Sequence, residues 1–302
     1  MPYHFQRGEA VPAGVRRIVR EEIESAARQL RGEGEADRDD AIHEARKNVK
    51  KIRGVLRLVQ PELGEVYGRE NIHFRDAGRK LSEFRDAGAM LETFDGLVKR
   101  YRTELSGRKL ASIRRGLAAR KEQAEQRNNI ASVLPAMAAE FRRSGKRVTR
   151  WPLAKDGFAA IAPGLKATFR RGRKALARVR KYPRAENYHE WRKRVKEHWY
   201  HIRLLESFWT GATEAYEKSL KELENALGED HNLVLLAAKV RAEAAFYGEP
   251  ADIALLVGLI GKYHKELRAN ALELGRHIYG EKPGHFARRM GRLWADTASR
   301  LA

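Results

Sequence analysis

Two stretches of the chain set basic side chains and a histidine at matched spacing: HEARKNVKKIRGVLR at 43–57 and HEWRKRVKEHWYHIR at 189–203. They lie 146 positions apart with no gap. His43 pairs with His189, Arg46 with Arg192, Lys47 with Lys193, Lys50 with Lys196 and Arg57 with Arg203. Wound as a helix with His43 at zero, the first copy sets Lys47, Lys50, Arg57, Arg46 and Arg53 at about +40°, −20°, −40°, −60° and −80°. That is a cationic stripe about 20 Å long. Glu44 and Glu190 fall about 100° away from the histidines, off the stripe. Like charges stacked at i, i+3, i+4 and i+7 repel unless an anion lies between them. The chemistry on offer is anion binding by charge-assisted hydrogen bonds, with arginine able to hold two oxygens at once. The plain alternative is a solvated basic face, and the exact recurrence of the spacing argues against it.

Both copies need a helix with a separate apolar side. Ile42, Val49, Ile52, Leu56 and Val59 supply it in the first copy, and Val195, Ile202 and Leu205 in the second. Around them, helical periodicity runs from Gly14 to about Leu30, then a polar loop from Arg31 to Asp37 holds Gly32 and Gly34. Asp37 or Asp39 caps the first motif helix, which should stop at Pro61. Further helices are expected at about 65–84, from the RD turn to about 105, and over 107–148 with Pro135 as a break or kink. The stretch Arg150–Gly164 is the internal boundary. The second half should then read as a helix at 164–181, the second motif helix to Trp209, helices at about 212–227 and on to Phe246, and long helices at about 252–279 and 284–300.

The repeat extends past the motifs. LSEFRDAGAML from Leu81 matches LGEDHNLVLLA from Leu227, setting Arg85 against His231 and Asp86 against Asn232. Gly14 pairs with Gly164 at a shift of 150, the four extra residues falling in the loop at 31–38, where insertion is cheap. No alternating strand pattern occurs. The expected fold is all-α, two helical bundles related by a pseudo-twofold axis through internal duplication. Half one would run about 14–150 and half two about 157–300.

Composition sets limits. The 302 residues carry a net charge of +21, with 61 Lys and Arg against 40 Asp and Glu. Such an excess favours polyanionic partners: nucleic acid, an anionic membrane or polyphosphate. There is no cysteine, which excludes disulfides and thiolate metal sites. No 18-residue apolar run and no N-terminal signal segment is present, so the expected location is the cytoplasm, with no membrane partner.

Sharper alternatives fail on spacing. HEARK and HEWRK carry lysine where a zincin needs its second histidine. His198 and His201 stand i, i+3 but off the stripe, so no metal is expected. Trp191, Trp199, Tyr200 and Trp209 read as bundle packing rather than base-stacking platforms. His43 and His189 could each be structural, bonding a carbonyl within the bundle.

Taken as a set, the paired H-E-x-R-K-x-x-K helices, the RD and DHN turns and the RRGRKAL helix resemble a CHAD domain, the conserved histidine α-helical domain. The likeness covers roughly residues 5–300 as a single domain. It implies two pseudo-symmetric bundles around a basic central cavity, binding of long-chain inorganic polyphosphate, and association with polyphosphate granules. Carried over by position, the expected ligands are His43, Arg46, Lys47, Lys50, Arg53, Arg57, His189, Arg192, Lys193, Lys196 and Arg203. Arg53 breaks the symmetry, because Trp199 stands opposite. Arg75, Arg79, Arg170, Arg173 and Lys221 form a second tier of expected contacts. Family members often join a CYTH triphosphate hydrolase module, whose E-x-E-x-K signature is absent here. The expectation is therefore a stand-alone, non-catalytic binder with no cofactor, taking polyphosphate and, secondarily, other polyanions. The competing readings are a nucleic-acid-binding protein, for which no known reader motif is present, and a phosphotransferase, for which no Mg²⁺ carboxylate cluster or Gly-rich loop is present.

Overall fold

Thirteen α-helices and one short 3-10 helix (Glu206–Phe208) make up the regular structure among the described residues, and no strand occurs there. The structure is a computed structural model and describes residues 3–33, 37–83, 86–105, 110–127, 130–208 and 212–299. In chain order the helices are α1 (Val11–Leu30), α2 (Arg38–Leu58), α3 (Gln60–Leu63), α4 (Glu65–Glu83), α5 (Asp86–Arg100), α6 (Ala111–Arg127) and α7 (Ile130–Val148). After the connection at 149–156 come α8 (Gly157–Lys181), α9 (Ala185–Leu204), α10 (Ala212–Ala242), α11 (Ala244–Tyr247), α12 (Pro250–Ile278) and α13 (Pro283–Ser299).

The motif helices form where local chemistry asks for them. Asp37 caps α2 by accepting from Asp40 N at 2.8 Å, Asp39 and Asp40 sit in the first turn, and Arg57 sits in the last, each complementing the helix dipole. The apolar side of α2 is buried throughout, with Ile42, Val49, Ile52, Leu56 and Val59 all within 2% of full burial. On α9 and just after it, Val195, Ile202 and Leu205 are buried likewise. Each such side chain is worth about 1.5–3 kcal/mol, so these faces fix how far each stripe can rotate away from its partner.

α2 packs on α1 and α4, while α9 packs on α8 and α10. α1 also packs on α7, as α8 does on α13. α2 touches α9 directly, and α5 touches α10. The crossing of α2 and α9 is tight at Gly54, where an added Cβ would lie 3.1 Å from Tyr200 Cβ. His201 Nε2 donates to Gly54 O there at 2.9 Å. At Gly164 an added Cβ would lie 1.9 Å from Leu58 O, so only glycine lets α8 reach the end of α2.

Several boundaries differ from the sequence expectation. α2 ends at Leu58, and Pro61 lies inside α3 rather than stopping the motif helix. The region 107–148 is two helices, and Pro135 sits inside α7. α8 starts at Gly157 and runs through Pro163, so the connection between α7 and α8 is shorter than the expected boundary stretch 150–164. Asp156 accounts for that start: its Oδ1 accepts from Gly157 N and also from Val11 N, tying the beginnings of α8 and α1 together. The expected break near Leu227 is absent, because α10 continues for 31 residues through the DHN segment. Nothing between 212 and 242 is a glycine–proline break, and Gly228 alone costs a helix only about 1 kcal/mol. Arg85 and Trp209 lie outside the described residues.

Candidate polyanion-binding site

His43, Arg46 and Lys50 of α2 and Arg192 of α9 line one cleft of about 320 Å³, whose remaining walls are α5 and α10, with Glu92 and His231 among them. Lys50 is its electrostatic centre. Burial, then the charges of Lys196, Arg46 and Arg192, pull its ammonium down to about 7. Among the described residues it makes no ion pair and no hydrogen bond. Burial also lowers Arg192, and its Nε is buried without an acceptor. A buried cation costs free energy unless it is paired. Two of them here point the same requirement at one cleft.

Lys196 differs. Its Nζ lies 2.6 Å from Glu224 Oε1, and Lys221 lies 2.9 Å from Glu224 Oε2. Burial would raise the Glu224 carboxyl, but Lys196 and Lys221 hold it at about 2. Lys221 also lies over the Trp199 ring at 4.4 Å. Arg46 donates to Ser82 Oγ at 3.0 Å.

The histidines are not equivalent. His43 is exposed at the cleft. His189 Nδ1 meets His231 Nδ1 at 3.1 Å, a contact that needs one ring to donate and the other to accept. Burial, Lys193 and Arg192 lower His189; burial and His189 push His231 down to about 4.

Other expected ligands lie against different partners. Lys47 pairs with Glu44 and Lys193 with Glu190, each at 2.8 Å, so those two carboxylates reach the stripe one turn along and do not stand clear of it. Beyond the crossing, Arg57 lies 3.2 Å from Glu197 Oε1 and donates to Arg53 O, while Arg53 donates to Asn71. Burial and Arg57 lower Arg53 to about 10. Arg203 packs over Trp199 and Tyr3 at 5.2 and 5.7 Å. Of the second tier, Arg75 and Arg79 pair with Asp76, and Arg170 and Arg173 sit on α8.

A family model for the CHAD domain matches residues 18–241. The chain belongs to the CHAD domain family. Among curated proteins no significant match to the chain is found.

Within this CHAD domain, the sequence reading missed His231, Glu224 and Glu92. His231 was visible as the residue opposite Arg85, but its pairing with His189 depends on how α9 packs on α10. Next to it, Asp230 is buried and accepts from His264 Nδ1 at 2.6 Å and Arg268 Nε at 2.7 Å, which anchors the wall carrying His231. His198 and His201 belong to the core: both are fully buried, and His198 Nδ1 lies 3.3 Å from the Tyr279 hydroxyl. Trp191 is fully buried and Tyr200 nearly so, as bundle packing requires. No helix of the described residues is long and apolar enough to cross a membrane.

Proposed function

We propose that the protein binds long-chain inorganic polyphosphate without transforming it, using the cleft between α2 and α9. The family binds polyphosphate. The observation that carries the reading here is the pair Lys50 and Arg192, cations withdrawn into one cleft: Lys50 makes no hydrogen bond among the described residues, Arg192 Nε is buried without an acceptor, and Glu224 acts on both only from beyond ion-pair distance. A polyphosphate brings about one charge per residue and oxygen acceptors on every side, so it supplies what both cations lack. His43 and Arg46 extend the same wall. Lys196 and Lys221 are held in reserve by Glu224. Release of condensed counterions adds affinity that falls with salt.

In this reading the two halves are pseudo-twofold copies around a basic channel, supported by their corresponding neighbours: α1, α2 and α4 on one side, α8, α9 and the first part of α10 on the other. The domain would run past the matched segment to about 5–300, since Phe5 N donates to Leu204 O and α12 and α13 pack on α10 and α8. Residence in the cytoplasm, on polyphosphate granules, follows from the ligand.

Competition decides the ligand class. Labelled long-chain polyphosphate, bound to the wild type, is challenged with duplex DNA and with single-stranded RNA at equal phosphate concentration. Polyphosphate should be retained, because no Phe, Tyr or Trp lines the cleft to stack a base. Displacement by either nucleic acid would overturn the reading. The variant Lys50→Gln/Arg192→Gln should lose affinity by roughly 100-fold, two charge-assisted contacts at about 1.5 kcal/mol each.

A further inference from the structure

The cleft leaves much of the basic surface unused. Residues 142–181 alone hold fourteen Lys and Arg against one Asp, and none of them lines the cleft. A second hollow draws on the start of that run. It is an open groove of about 1170 Å³ between α1 and α7, and it shares no lining residue with the cleft.

α7 lies antiparallel to α1: Arg16 Nη2 donates to Trp151 O at 2.8 Å, and Gly145 sits against Ile23. Arg142 and Lys146 on α7 and Arg150 in the turn after it therefore follow one another along one wall, opposite Arg20 and Arg28 on the other. All five are exposed, and none makes an ion pair among the described residues. The carboxylates in the groove are already engaged. Glu21 lies 3.1 Å from Arg17, and Glu24 lies 3.4 Å from Arg31. Arg142 and Lys146 repel at i and i+4 on the α7 wall, Glu24 stands between Arg20 and Arg28 on the α1 wall, and the cations of the two walls repel across the groove, which an extended polyanion relieves. No aromatic ring lines the groove, so a nucleobase has nothing to stack on, whereas a bare phosphate chain needs only cations.

We infer that the α1–α7 groove is a second polyphosphate track, separate from the cleft. This rests on the polyphosphate reading of the cleft for the ligand's identity. A long chain held at both places would gain affinity through effective concentration, without any new contact at either.

Titration with tripolyphosphate, followed calorimetrically, separates the two sites. The wild type should show two binding events. Arg20→Gln/Arg142→Gln/Lys146→Gln should lose one of them, and should weaken long-chain binding about tenfold or more. Lys50→Gln/Arg192→Gln should lose the other. Lys218→Gln/Arg241→Gln/Lys265→Gln, which removes as much exposed charge elsewhere, should keep both. The groove proposal falls if the groove variant keeps both events, or if the control variant loses as much. Loss of all binding in the cleft variant also overturns it while leaving the cleft reading intact. Loss of all binding in the groove variant, with the cleft variant unchanged, overturns the cleft reading and keeps the groove. A wild type that binds no tripolyphosphate and no long chain overturns both.

Discussion

On α2, Lys50 meets Lys196, Arg46 and Arg192 as charged neighbours and pairs with no carboxylate among the described residues; on α9, its counterpart Lys196 lies 2.6 Å from the buried Glu224. His43 is exposed, whereas His189 is packed against His231. Arg53 bonds Asn71, whereas Trp199 in its place stacks under Lys221 and Arg203. The two helices share a charge pattern and differ in what neutralises it. If the halves are duplicates, as proposed above, the spacing is what they keep in common and the neutralising partners are what they divide. The second half supplies its own counterion, which stabilises the empty protein. The first half leaves its central lysine unsatisfied, which destabilises the empty protein and reserves that energy for a ligand.

The sharpest way to break this contrast is to remove the paired lysine from each side. Lys50→Met deletes a cation that burial and like charges disfavour. The empty protein should gain up to about 4 kcal/mol, three pKa units' worth of differential stabilisation, while polyphosphate affinity drops at least tenfold. Lys196→Met leaves Glu224 with Lys221 alone and should cost the fold about 3 kcal/mol, the penalty of breaking a buried pair. Thermal melts without ligand, beside binding isotherms, read both. Melting shifts of the same sign in the two variants would remove the distinction between the helices.

Next in size is the pH response, which carries opposite signs for stability and binding. Lys50 sits at about 7 in the folded protein, below the roughly 10.4 of an unfolded lysine. Between those values the unfolded chain binds the extra proton, so stability of the empty protein rises with pH from about 7 upward. Below 7 the lysine is charged in both states and the full cost of burying it remains. A polyanion favours the charged form. Affinity should therefore be highest below pH 7 and fall by up to tenfold per pH unit above it. Denaturant melts and isotherms at pH 6.5, 7.5 and 8.5 should show these opposing slopes, and Lys50→Met should flatten both. A slope that survives in Lys50→Met points to another titrating group.

The helices, their apolar faces and the cationic spacing were legible in the sequence because each depends on a period of about 3.6 residues. Ile42, Val49 and Ile52 are buried for the reason their spacing gives. The partners of the cations were not legible. Glu224 reaches Lys196 across 28 positions, and Glu197 reaches Arg57 across 140, through the crossing at Gly54. Glu44 sits about 100° from the reference histidine on a helical wheel, yet its flexible side chain swings back to Lys47. A wheel places Cα–Cβ directions, whereas ion pairs form between side-chain ends several ångströms further out. Likewise the continuity of α10 through 227–232 could not be read from the repeat, because it accompanies the packing of α12 along α10, a contact between segments distant in the sequence.

The smallest expected effect separates the two histidines that the sequence treats as twins. In the empty protein at pH 7.5 neither His189 nor His231 is charged, since burial and nearby cations lower both. Their Nδ1 atoms share one hydrogen, so a second proton breaks the contact and forces the rings apart. An anion in the cleft would offset that repulsion, and the benefit grows only as protons become available. His189→Gln should therefore change polyphosphate affinity by no more than about threefold at pH 7.5, one modest hydrogen bond's worth, and by more at pH 5.5. His231→Gln breaks the same contact and should show the same pH dependence, whereas His43→Gln leaves that contact in place. A His189→Gln effect that stays constant between pH 7.5 and 5.5 would mean that the His189–His231 contact has no part in binding, and that the asymmetry between α2 and α9 stops at their lysines.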